Sequence, residues 1–160
     1  MSVNRHKPHV LVLPEDDANR QIANGFIYDL DNRYIQVLPI AAGWTKAVDQ
    51  FINDHAPRMR QYPDRMMVLL IDFDNCKDRL SYINGQIPED LVHRVFVIGS
   101  WTAPEKLKND MNKSFEKIGE SLAKDCSEDT NHTWGHTLLN HNERELTRLR
   151  LSVKPLLFAG

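Results

Sequence analysis

Four apolar runs punctuate the first hundred residues, at His9–Leu13, Tyr34–Ala41, Met66–Ile71 and Val95–Ile98. Each has the length of a strand buried on both faces, and the segments between them carry apolar residues at helical spacing. This alternation predicts βαβ units and a parallel sheet. Between the first two strands, Asp16 or Asp17 is placed to cap a helix running to about Asn24, with Gly25 as its stop, and Asp29–Arg33 reads as a turn. After Gly43, the residues Ala47, Val48, Phe51 and Ile52 form the stripe of a helix over Thr45–His55, which should end before Pro57. Beyond the third strand, Asp78–Tyr82 reads as a helical turn, Asn84-Gly85 as a turn, and Pro88 as the opening of a short helix through His93.

After Ile98 the pattern becomes helical throughout. Pro104 suits the first position of a helix through Met111. Phe115, Ile118, Leu122 and Ala123 mark another stripe, and a polar gap at Ser127–Thr133 precedes Trp134-Gly135-His136. Leu146, Leu149 and Val153 are spaced to pack a last helix on the body. The expected fold is therefore α/β: a four-stranded parallel sheet flanked by helices, with a C-terminal helical extension. One domain over 1–160 is expected, with an α/β core over 9–110 and appended helices over 111–160.

Composition narrows the function classes. With 41% hydrophobic and 26% charged residues the chain has the profile of a globular protein, neither disordered nor membrane-spanning. Its formal charge of −2 offers no global attraction to a polyanion. A nucleic acid would have to be met by a local basic patch or a bound cation. The polar start, Met1 to His9, lacks a signal-peptide core, so the expected location is cytoplasmic with no membrane partner. Cys76 and Cys126 are expected to be two reduced thiols.

The most informative stretch is Val68-Leu69-Leu70-Ile71-Asp72-Phe73-Asp74-Asn75. In an extended chain residues i and i+2 project to one side, so Asp72 and Asp74 should converge. A second acidic ending follows the first strand, in Val10-Leu11-Val12-Leu13-Pro14-Glu15. In a parallel sheet with right-handed crossovers, residues after the strand carboxyl ends gather at one edge, where ligands bind. Carboxylates gathered there repel one another, and the usual remedy is a divalent cation such as Mg²⁺.

The order strand, Glu15, helix, strand, helix, strand, Asp72-Phe73-Asp74 resembles the Toprim domain of primases, topoisomerases, recombination mediators and OLD-type nucleases, over about residues 9 to 110. The Glu15-Asp16-Asp17 run is more similar to the acid-rich sites of the OLD-type nucleases than to the primase form. Two departures stand out: Asp16 occupies the place where the family commonly has Gly, and Pro14 precedes the glutamate. The resemblance implies Mg²⁺ or Mn²⁺ held by Glu15, Asp72 and Asp74, with Asp16 as a further ligand, and phosphodiester hydrolysis or phosphotransfer on nucleic acid, DNA ahead of RNA. Lys106 is the favoured cation to meet transition-state charge, among Lys77, Arg79, Lys106 and Lys108.

Other features read as structure. His132, His136 and His141 fall close together, but Gly135 breaks the helix that would align them and no Cys-x-x-Cys or His-Glu-x-x-His accompanies them. Trp101 and Trp134 read as packing residues. The basic residues of Glu143–Lys154 read as a solvated face with intrahelical pairs. Two alternatives to a Toprim-like nuclease stand. One is a non-catalytic Toprim-like interaction or scaffold module, working with a partner protein or a second copy of the chain. The other is an NYN/PIN-like ribonuclease, whose opening strand Leu70–Asn75 resembles, although that strand should lie near the start of its domain.

Overall fold

The computed structural model describes residues 3–158. Four strands, β1 (His9–Pro14), β2 (Ile35–Val37), β3 (Arg65–Leu70) and β4 (Val95–Ile98), form one sheet in the order β2-β1-β3-β4. All three pairings are parallel. The helices are α1 (Asp17–Ile27), α2 (Trp44–Gln50), α3 (Ala56–Gln61), α4 (Lys77–Gln86), α5 (Pro104–Met111), α6 (Phe115–Glu128), α7 (Glu143–Ser152) and the short α8 (Lys154–Leu157). None of the helices among the described residues is long and apolar enough to cross a membrane.

The sheet is buried on both faces, which is why its strands read as continuous apolar runs. Val10, Val12, Val68, Phe96 and Ile98 pack beneath α1, α6 and α7 with Ile22, Ile118, Leu122 and Leu149. Leu11, Leu13, Leu69, Ile71 and Val97 pack on the other side with Val48, Phe51, Met59 and Ile83 of the α2–α4 layer. Full burial of one such side chain contributes about 1.5–3 kcal/mol, so these two layers dominate the stability of the fold. The chain leaves β1 toward β2 and leaves β3 toward β4, on opposite sides. The strand order therefore reverses between β1 and β3, and the carboxyl ends at such a reversal are where open α/β sheets bind ligands.

Several boundaries differ from the sequence expectation, each for a local reason. Gly25 does not stop α1, which runs on to Ile27. It is small because α6 passes against it: a Cβ there would lie 1.9 Å from the Glu116 carbonyl oxygen, and one on Gly119 of α6 would lie 1.9 Å from that of Ile22. Pro57 does not end the second crossover helix either. A π-helical turn, Phe51–His55, joins α2 to α3 and places Pro57 in the first turn of α3, where its missing N–H is tolerated.

The regular part of β2 is short, although Leu38 and Ala41 still donate backbone hydrogen bonds to Val12 and Pro14. Asn84-Gly85 is the last turn of a continuous α4 rather than a separate turn. The helix expected from Pro88 to His93 reduces to a turn closed by the Leu91 N–H on the Pro88 carbonyl and a 3-10 turn at Val92–Arg94.

The C-terminal helices complete the sheet. At the outer edge of β4, the Val97 N–H donates to the Glu145 carboxylate at 2.9 Å, and Arg148 donates to the carbonyls of Val95 and Val92. Asn142 both accepts from the Gly99 N–H and donates to the Gly99 carbonyl. The expected solvated basic face is thus partly an edge cover. Arg150 and Lys154 are likewise engaged, with the carbonyls of Asp125 and Thr130 and with the Asp129 carboxylate.

Candidate metal centre

The site is assembled at the strand ends where the strand order reverses. The Glu15 N–H continues the ladder by donating to Leu70, and its carbonyl accepts from Ala42 and Gly43, so the backbone is held on both sides. Asp16 follows as the N-cap of α1 and accepts from the Asn19 N–H at 3.1 Å. Asp72, two residues past β3, is buried. One carboxylate oxygen from each of Glu15, Asp16 and Asp72 falls within 4.8 Å of the others.

Two further contacts fix the acids. The Asp72 N–H donates to the Glu15 carboxylate at 3.2 Å. The side-chain amide of Asn19 donates to both Asp16, at 2.9 Å, and Asp72, at 3.1 Å. Asn19 is 1% exposed and belongs to the inner stripe of α1 with Ile22 and Ala23. It is the residue of the cluster that the acid motif did not reveal; an amide interrupting an apolar stripe in the first turn is its only signal.

Burial pushes the Glu15 carboxyl up to about 7, and the neighbouring Asp16 charge adds to the effect. Burial likewise lifts Asp72 to about 8, against the opposing Asn19 hydrogen bond and with help from Glu15, Asp16 and Glu105. The bare site thus binds protons near neutral pH, which a divalent cation would displace.

Asp74 is not in the cluster, which corrects the expectation that Asp72 and Asp74 share a side. The chain is no longer extended there: Asp74 and Asn75 adopt left-handed φ values of 50° and 53°, and Cys76 closes the turn by donating to the Phe73 carbonyl. The Asp74 side chain is 79% exposed and lies 3.6 Å from Arg79. Its charge still reaches Glu15, as the smallest of the influences that raise that carboxyl.

Lys106, the cation favoured from the sequence, makes its ion pair with Asp110 and not with an acid of the cluster. It projects from α5 at 61% exposure and reaches Asp110 one turn on, at 3.5 Å. Arg79 is the cation beside the acids. It donates to the Asp72 carbonyl at 3.0 Å, stacks 4.8 Å from the centre of the Trp44 ring, and its charge favours ionised Glu15.

The histidines take separate structural places. His136 lies 3.5 Å from Asp110, while the His141 ring packs edge-on to Phe73 and beside Trp101. Trp134 is buried and donates to the Leu122 carbonyl, whereas Trp101 is partly exposed and donates to Asn75. Cys76 and Cys126 are free thiols.

Fold and site together define an α/β protein with a cluster of three acids at its strand-order reversal. No protein-family model, curated protein or solved structure matches the chain.

Proposed function

We propose that the protein is a divalent-metal-dependent enzyme acting on phosphodiester bonds of nucleic acid, as its Toprim resemblance implies, with Glu15, Asp16 and Asp72 as the metal-holding set. The observation that carries this reading is the convergence of those three carboxylates at the switch point of the sheet. The donor chemistry fits a hard cation, because all three side chains of the group offer carboxylate oxygen. A bound Mg²⁺ or Mn²⁺ supplies polarisation of a phosphoryl oxygen and activation of water.

The chain's own residues supply the rest. Asn19 holds Asp16 and Asp72 at a fixed separation while leaving other carboxylate lone pairs free. Arg79 anchors the backbone of Asp72 and offers positive charge beside the acids, in the role expected of Lys106. Asp74 is a peripheral acid that tunes the field.

The test is incubation of the purified chain with single- and double-stranded DNA and RNA, in Mg²⁺, Mn²⁺ or chelator, beside Glu15→Gln and Asp72→Asn. Metal-dependent cleavage, DNA ahead of RNA, that disappears in both variants is the expected result. Equal cleavage by all three proteins would assign the activity to a contaminant. Metal binding without turnover would replace the enzyme by a scaffold module.

A further inference from the structure

Ser100 lies at the carboxyl end of β4 and is 3% exposed, and its hydroxyl oxygen has no hydrogen-bond partner among the described residues. A buried hydroxyl without a partner forfeits about 1–3 kcal/mol, which an occupant within reach would recover. Its position says which. Leu70 of β3 pairs with Ile98 of β4, the Ile71 N–H donates to Ile98, and the Phe73 N–H then donates to Ser100. The ladder thus continues beyond both strands, and its next pair is Asp72 with Ser100.

Leu70 and Ile98 both pack in the layer beneath α1. Two residues on, Asp72 and Ser100 return to that face, and the contact from Asn19 of α1 confirms this for Asp72. Neighbouring strands lie about 4.8 Å apart. Two oxygens sharing one small cation, each about 2.1 Å from it, stand at most about 4.2 Å apart, so the two side chains must lean toward each other across that spacing. The hydroxyl is closed to water, yet a bare cation is smaller than a water molecule.

We propose that Ser100 is a neutral oxygen ligand of the divalent cation, completing from β4 a site whose acids come from β1 and β3. This rests on the metal-binding reading above. A hydroxyl adds a donor without adding charge, which suits a cluster where three carboxylates already repel one another. It also confines the site to small, hard ions.

The test is calorimetric titration of the full chain with Mn²⁺ and with Cd²⁺, comparing wild type, Ser100→Ala and Ser100→Cys. Loss of the hydroxyl should weaken Mn²⁺ binding about tenfold. The cysteine variant should raise the preference for Cd²⁺ over Mn²⁺ about tenfold or more, because sulfur favours the softer ion. That metal-specific change is one a purely structural role would not produce, and the cysteine variant serves even if the alanine variant folds poorly. Wild-type Mn²⁺ affinity in Ser100→Ala, or an unchanged Cd²⁺/Mn²⁺ ratio in Ser100→Cys, would overturn the ligand assignment while leaving the acidic site standing. Absence of Mn²⁺ binding by wild type would overturn the metal reading and the ligand with it.

Discussion

The side chain of Asn142 pairs with Gly99 as a neighbouring strand would, its oxygen accepting the Gly99 N–H at 3.2 Å and its amide donating to the Gly99 carbonyl at 2.9 Å. The same amide also donates to Leu139, so all of it is committed inside the protein. Replacing Asn142 by Leu should therefore leave two buried backbone groups unsatisfied and cost about 2–4 kcal/mol. Urea unfolding would read this as a lower midpoint, and a shift below about 0.5 kcal/mol would show that water takes over the role.

Gly119 and Gly25 let α6 and α1 approach until backbone meets backbone. Gly119→Ala should cost about 1–3 kcal/mol through overpacking, despite the better helix propensity of alanine. Gly85→Ala is the control: nothing lies within 4 Å of a Cβ there, so stability should hold or rise. Thermal unfolding of the two variants compares them directly.

Glu15 and Asp72 have carboxyls raised to about 7 and about 8, from ordinary values of 4.5 and 3.8. Between those limits the folded state binds more protons than the unfolded one, so the stability of the metal-free protein should fall as pH rises through that window. Added Mg²⁺ should reverse the trend, since ionised acids bind it best, and stabilise more at pH 8 than at pH 5.5. Scanning calorimetry with chelator or Mg²⁺ at both values tests the crossing; a Mg²⁺ effect independent of pH would contradict it.

Asp72→Asn should reduce Mn²⁺ affinity at least about tenfold, while Asp74→Asn should change it by no more than about threefold, because Asp74 acts only through its field at an exposed position. Equal losses in the two variants would restore the paired-aspartate site that the sequence suggests. Titration of each protein with Mn²⁺ decides.

At the opposite end of the sheet, His9 is fully buried, its Nδ1 lies 2.7 Å from the Lys7 carbonyl and its Nε2 accepts from Arg65 at 2.9 Å. This arrangement needs a neutral ring protonated on Nδ1, and burial, with the Arg65 charge, holds its pKa below 6.5. The unfolded chain takes up the proton first, so this contribution is present above about pH 6.5 and is lost as the pH falls through the lowered value. His9→Gln should flatten the acid limb of the stability profile below about pH 6.5. An unchanged limb would assign that acid sensitivity elsewhere.

The alternation of apolar runs made the sheet and its parallel sense legible, since strands buried on both faces cannot hide their composition. Positions governed by partners distant in sequence were not legible. Gly25 resembles a helix stop locally and acts instead as a contact with α6. Pro57 resembles a terminator, but a π-turn absorbs it. In the site, Glu15 and Asp72 follow from strand endings, whereas Asp16 reads locally as a helix cap and enters as a ligand only through the family resemblance. Asp74 was misread because period-two projection fails once the chain turns into left-handed backbone. Lys106 and Arg79 look equivalent in sequence, and only the turn after Asp74 brings α4 back so that Arg79 reaches Asp72.

Because Asn142, Glu145 and Arg148 occupy the rim of β4, the final third of the chain acts as a seal on the sheet. A fragment cut after Met111 would bare a raw ribbon of amides and carbonyls, and its natural fate is to recruit another such ribbon and polymerise.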